Sequence, residues 1–147
     1  MSLLQNKKVS FDYEILEKIE AGIELLGMEV KSVRAGRGSL LGSRVIVRGE
    51  EAYVVGFSIP PYQANNTPKD YDSERNKKIL LTKKEILRLA GVEKEKGLTI
   101  VPLSVYNKGR KLKMEIAIVR GKKKFDKRET LKKKDSERDV ARTLKNL

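Results

Sequence analysis

Apolar residues recur at every second position along most of residues 11–119, and Gly, Pro and Asn break the pattern into short runs. That period predicts half-buried strands. "FDYEILEKI" sets Phe11, Tyr13 and Ile15 against acidic neighbours, and "SRVIVRGEEAYVVGFSI" divides into two strands joined at Gly49 and Glu50. The clearest alternation, "LTIVPLSVYNKGRKLKMEIAIV", predicts a hairpin. Leu112, Met114, Ile116 and Ile118 make one face of it, and residues 107–110 make the turn, with Gly109 able to take positive φ.

Two stretches carry helical signals. In "TKKEILRLAG", Thr82 is placed to cap a helix with Glu85 as its capping-box partner, Ile86, Leu89 and Ala90 face inward, and Gly91 is the stop. "LGMEVKSVRAG" puts Met28, Val30 and Val33 on a helical face ending at Gly36, with a strand as the alternative because Val30 and Val33 are β-branched. Residues 60–78 hold three of the four prolines and no apolar period, which predicts a long functional loop or irregular arm. Together these elements predict a mainly β fold: a small antiparallel, OB-fold-like barrel with two or three flanking helices.

After Val119 the pattern changes. From Gly121 to Lys134 only Phe125 and Leu131 are apolar, too little burial to offset the entropy of ordering the chain. The sequence therefore divides into a body over 1–120 and a basic C-terminal tail over 121–147, disordered when free. Val140, Leu144 and Leu147 stand at i, i+4 and i+7, so a short helix is expected there once a partner supports it.

Charge points to the kind of partner. The 33 Lys and Arg against 20 Asp and Glu give +13, and residues 121–147 carry 11 basic and 5 acidic side chains, so body and tail are both suited to a polyanion. With no Cys and no His, disulfides, thiol nucleophiles, common zinc sites and the usual neutral-pH base are excluded. No catalytic residue, metal site or cofactor is expected. The absence of an apolar run of eighteen residues or of a signal-peptide pattern implies a cytoplasmic protein with no membrane partner. "AGRGSLLGSR" fits neither phosphate-loop spacing and reads as a turn. Phe125, between Lys124 and Asp126, offers a platform for an unpaired base; the alternative is a solubilising run with Phe125 folded back on the body.

Five stretches, "NKKVSFDYEI", "EAGIELLGMEVKSVRAGRGSL", "ERNKKILLTKKEI", "KGLTIVPLSVY" and "GKKKFDKRETLKKKD", resemble in order and spacing the motifs of the SsrA-binding protein family, SmpB. The resemblance spans residues 6 to about 142. It implies a non-enzymatic adaptor that binds the tRNA-like domain of transfer-messenger RNA, is delivered with elongation factor Tu, and acts as a monomer. Its tail would enter the empty mRNA channel near the decoding centre, against 16S ribosomal RNA. Asn6, Glu20, Leu80 and Gly121 match family positions implicated in contact with the tRNA-like domain, and Asp126, Lys127 and Arg128 match the tail motif for ribosomal accommodation. Lys7, Arg34, Lys77, Lys78, Lys122 and Lys123 lie in basic motifs suited to RNA, while Lys132, Lys133 and Lys134 would meet rRNA phosphate and Leu144 would give the induced helix an apolar face.

The family pattern is not matched everywhere. Phe11-Asp12-Tyr13 stands where His-Asp-Tyr is frequent, Tyr71-Asp72-Ser73 replaces a frequent His-Asp-Pro, Thr82 stands where His or Asn is common, and Phe125 replaces His or Tyr. Other readings of the residues are a generic OB-fold translation or ribosomal protein, and a metal-dependent nuclease using Asp12 or Asp70. For Glu20, an ion pair with Lys7 or Lys31 is the alternative to an RNA contact.

Overall fold

The computed structural model describes residues 2–63 and 67–122. The expected hairpin is its centre: β6 (Leu98–Lys108) and β7 (Lys111–Gly121) pair from Leu98↔Arg120 to Lys108↔Lys111, with Gly109 at φ 64° in the turn. Leu112, Met114, Ile116 and Ile118 of β7 enter the main core. Ala117 and Val119, on the opposite face, close a second cluster with Val9 and Val101. The end of β7 is thus buried on both faces, which explains why the strict alternation lapses into a continuous apolar run there.

β1 (Ser2–Gln5) lies beside β6, β2 (Tyr13–Ile23) beside β7, and β3 (Arg44–Arg48), β4 (Glu51–Val55) and β5 (Lys77–Leu80) complete one antiparallel sheet in the order β1-β6-β7-β2-β5-β4-β3. The sheet curls until β3 comes against β6, and α3 (Lys83–Glu93) packs on both strands across that seam. Phe57, Ile59, Ile79, Leu89, Ile100, Met114 and Ile116 fill the interior of this OB-like barrel. The remaining helices are α1 (Val9–Asp12) and α2 (Gly27–Arg34).

Three local expectations are corrected. Phe11 is not in a strand: its N–H donates to Lys8 O at 3.1 Å within α1, which buries Val9, and β2 begins only at Tyr13. α3 runs through Gly91 to Glu93 because Val92 extends the buried stripe of Leu89. α2 is helical, with Val33 buried and Val30 packed against the core as predicted, yet it also buries Glu29 and Ser32, and Met28 is not part of the core. Its stop is as expected, since Gly36 (φ 77°) donates to Val33 O at 2.9 Å and Arg37 to Ser32 O at 2.9 Å, a Schellman end.

The polar face of α2 meets Pro60, Tyr71 and Arg75. Ser32 Oγ donates to Pro60 O at 2.8 Å. Glu29 accepts from Leu26 N–H at 2.7 Å, from Arg75 Nε at 3.0 Å and Arg75 Nη2, and lies 3.0 Å from the Tyr71 hydroxyl, itself 2.8 Å from Ile59 O. Burial alone would raise the Glu29 carboxyl, but these donors outweigh it and hold the group below the usual carboxylate range. No loop residue is needed to explain the fold class, but this network decides where the loop lies.

Candidate nucleic-acid interface

β2, β6 and β7 present an outward face where strand alternation leaves the polar residues in solvent. On it, Glu20 accepts from the Tyr106 hydroxyl and, at 2.9 Å, from Lys108 Nζ. Those bonds, with Lys113 nearby, lower the Glu20 pKa, so the exposed carboxylate is ionised. Tyr106 is pushed up to about 12 by burial and by its acceptor Glu20, and remains a donor at any physiological pH. The ion pair weighed with Lys7 or Lys31 is therefore made with Lys108 instead.

Beside Glu20 the sheet opens into a cleft of about 300 Å³ between α2 and the β6–β7 turn. Ile23, Val30, Leu80 and Leu112 give it an apolar floor, and Arg34, Arg110, Lys111 and Lys113 line it with positive charge and no carboxylate. Arg34 Nη2 donates to Arg110 O at 2.8 Å, which ties the end of α2 to the hairpin turn. Leu80 is 48% exposed, a large apolar side chain left at the surface. Residues 107–110 read as a turn and 111–113 as strand, so Arg110, Lys111 and Lys113 carried no assigned role. Their signal was the spacing of Lys and Arg through "NKGRKLK", which folds back onto Arg34 once the hairpin closes.

Most of the expected RNA residues fall into two groups. Glu20, Leu80 and Arg34 flank this cleft. Asn6, Lys7, Gly121 and Lys122 lie toward the far end of the β2–β7 pair, where Tyr13 is opposite Gly121. Asn6 is already committed to the fold: its Nδ2 donates to Leu40 O at 3.1 Å and Pro102 O at 3.2 Å, its N–H to Leu103 O, at the β6 bulge. Lys122 Nζ donates to Ser10 O at 2.9 Å, and its N–H to Asp12 O at 3.0 Å.

Lys77 requires correction. It is fully buried, and its Nζ donates to Phe57 O, to Arg75 O at 2.9 Å and to Ser73 O at 3.3 Å, using all three protons inside the protein. Burial lowers its pKa to about 8. Such an amine supports the loop and is out of reach of phosphate. Lys78 is half-buried and pairs with Glu51 at 2.9 Å. Lys123, Phe125, Asp126, Lys127, Arg128, Lys132, Lys133, Lys134 and Leu144 lie outside the described residues.

Among the described residues no cluster of three or more Asp or Glu is gathered to hold a metal ion, and no helix is long and apolar enough to cross a membrane. A family model described as SmpB protein matches residues 3–146. The chain belongs to the SmpB family. SmpB proteins are RNA-binding adaptors and not enzymes, which removes the nuclease reading based on Asp12 or Asp70. An SsrA-binding protein of Chloroflexus aggregans is 48% identical over 141 residues, covering 96% of this chain and 89% of that one. One of Sulfurihydrogenibium sp. is 50% identical over 140 residues, covering 95% and 91%. A chain from a solved structure described as "tmRNA-SmpB: a journey to the center of the bacterial ribosome" shares the fold at a TM-score of 0.69 and 43% identity, covering 82% of this chain and 85% of that chain.

Within this SmpB frame two departures from the family pattern have structural work. Tyr71 carries its hydroxyl to Glu29 and Ile59, and Thr82 caps α3, its Oγ1 accepting from Glu85 N–H at 3.2 Å.

Proposed function

We propose that this protein binds the tRNA-like domain of transfer-messenger RNA and delivers it to stalled ribosomes for trans-translation. The observation that carries the reading is the SmpB match over residues 3–146, which takes in the charged C-terminal motif as well as the barrel. A generic OB-fold RNA binder would account for the charge but not for that motif. The charged cleft beside Glu20 supplies a surface suited to RNA.

In this role residues 1–120 form the RNA-binding body, with β7 ending at Gly121, and residues 121–147 form the ribosome-facing tail. Asn6, Lys7, Glu20, Arg34, Lys78, Leu80, Gly121, Lys122 and Lys123 engage the tRNA-like domain. In the mRNA channel Phe125 stacks on a decoding-centre base, Asp126, Lys127 and Arg128 act in accommodation, Lys132, Lys133 and Lys134 meet 16S rRNA phosphate, and Leu144 gives the induced helix its apolar face. The protein acts in the cytoplasm as a monomer and enters the ribosome with elongation factor Tu.

Competition binding tests the reading. The purified protein is expected to prefer the tRNA-like domain over excess total tRNA at near-physiological salt. Equal affinity for both RNAs would reject the adaptor role in favour of nonspecific RNA binding.

A further inference from the structure

The cleft beside Glu20 combines two features that a phosphate site does not need together. Four cations line it, which suits a sugar-phosphate strand, yet its floor is aliphatic and includes the 48%-exposed Leu80. A backbone threading past would satisfy the charges and leave the floor wet. A base turned out of its stack has the complementary composition: an apolar face for Ile23, Val30 and Leu80, and phosphates on either side for the rim.

We propose that this cleft receives one unstacked nucleobase of the bound RNA, a reading that rests on the RNA-adaptor role above. Three details specify the occupant. Gly22 is buried under Leu80, and a Cβ there would lie 3.2 Å from Leu80 Cβ, so glycine lets the leucine lie low over β2 and keeps the floor flat. The Arg34 guanidinium is held at the cleft by its bond to Arg110 O, placed to stack on a planar group. Arg34, Arg110, Lys111 and Lys113 offer side-chain donors with no side-chain acceptor among the lining residues, so the edge that enters is one rich in acceptors. Guanine, uracil and cytosine, each with a keto oxygen, fit that requirement better than adenine. At about 300 Å³ the space is at the lower end of small-molecule sites, in keeping with a single base and not a base pair.

The test uses the full chain and a set of tRNA-like-domain RNAs, each with one loop nucleotide replaced by an abasic residue. One position is expected to lose about 5- to 100-fold in affinity, and that nucleotide is expected to be guanine, uracil or cytosine. Val30→Trp fills the floor and keeps every cation. With parent RNA it should lose a similar factor, show no further loss with the sensitive abasic RNA, and retain the wild-type salt slope. If Val30→Trp does not fold, Leu80→Ala, at a side chain 48% exposed, serves instead, with a similar loss on parent RNA, no further loss with the sensitive abasic RNA and an unchanged salt slope. Abasic RNAs that all bind like the parent, while the parent still outcompetes bulk tRNA, would overturn the base site and leave the adaptor role standing. Full additivity of the abasic site with Val30→Trp would also overturn it, and an adenine at the sensitive position would overturn the keto-edge assignment. Failure of the parent RNA to outcompete bulk tRNA would bring down the adaptor reading and this site with it.

Discussion

Glu29 and Lys77 show how ionised side chains can serve a fold from inside it. Glu29 is fully buried, with donors from the Leu26 backbone, Tyr71 and Arg75, and Lys77 spends its protons on the carbonyl oxygens of Phe57, Ser73 and Arg75. Glu29→Ala strands the Arg75 guanidinium and the Tyr71 hydroxyl, and because Arg75 keeps some access to water the expected loss is about 2–3 kcal/mol, read by urea unfolding. Glu29→Gln should cost less. Lys77 gives a pH signature: its pKa falls from 10.5 to about 8 on folding, so between those values the unfolded chain holds more protons and stability rises with pH. Unfolding at pH 7.5 and 9.5 should show wild type gaining on Lys77→Met as pH rises. Parallel behaviour of the two proteins would mean that the amine is as well solvated folded as unfolded. None of this was legible beforehand. Lys77 read as a surface cation and Glu29 had no assigned role because Arg75 is 46 residues from Glu29, and sequence spacing reports only near neighbours.

At the scale of elements, legibility followed locality. The β6–β7 hairpin, the β3–β4 hairpin and the start of α3 were readable because each is set by residues within a few positions of one another: Gly109 in its turn, Thr82 with Glu85 at its cap. Boundaries set by tertiary burial were not. Val92 draws α3 past Gly91 by reaching the core, and Val9 closes α1 over the second cluster where alternation had suggested a strand. The cleft was half readable, since Glu20, Arg34 and Leu80 came from family motifs whereas the turn cations needed the hairpin's position against α2. Helix ends offer a clean check. Thr82→Ala should lower stability by about 1 kcal/mol through loss of the cap. Gly36→Ala should cost a similar amount by strain alone, since φ is 77° and an added Cβ would meet nothing within 4 Å. Thermal melts of both, with unchanged far-UV spectra, would confirm that only the caps were altered.

For the whole molecule the proposed roles of body and tail are separable. A chain ending after Lys124 keeps every described residue and Glu20's surroundings; it should bind the tRNA-like domain within about twofold of the full chain at moderate salt and fail to support tagging on stalled ribosomes. Normal tagging by that chain would refute the tail's part in the mechanism. The junction between the two has a mechanical consequence. β7 is paired along nearly its whole length, to β2 on one side and β6 on the other, and its last residues are tied to α1 through Lys122. Antiparallel hydrogen bonds run perpendicular to the strands. A pull on the chain along the axis of β7 therefore loads both ladders in shear, all bonds at once, instead of peeling them one by one. If the body holds RNA and the tail the mRNA channel, as proposed, that tension falls on β7, a strand paired on both sides.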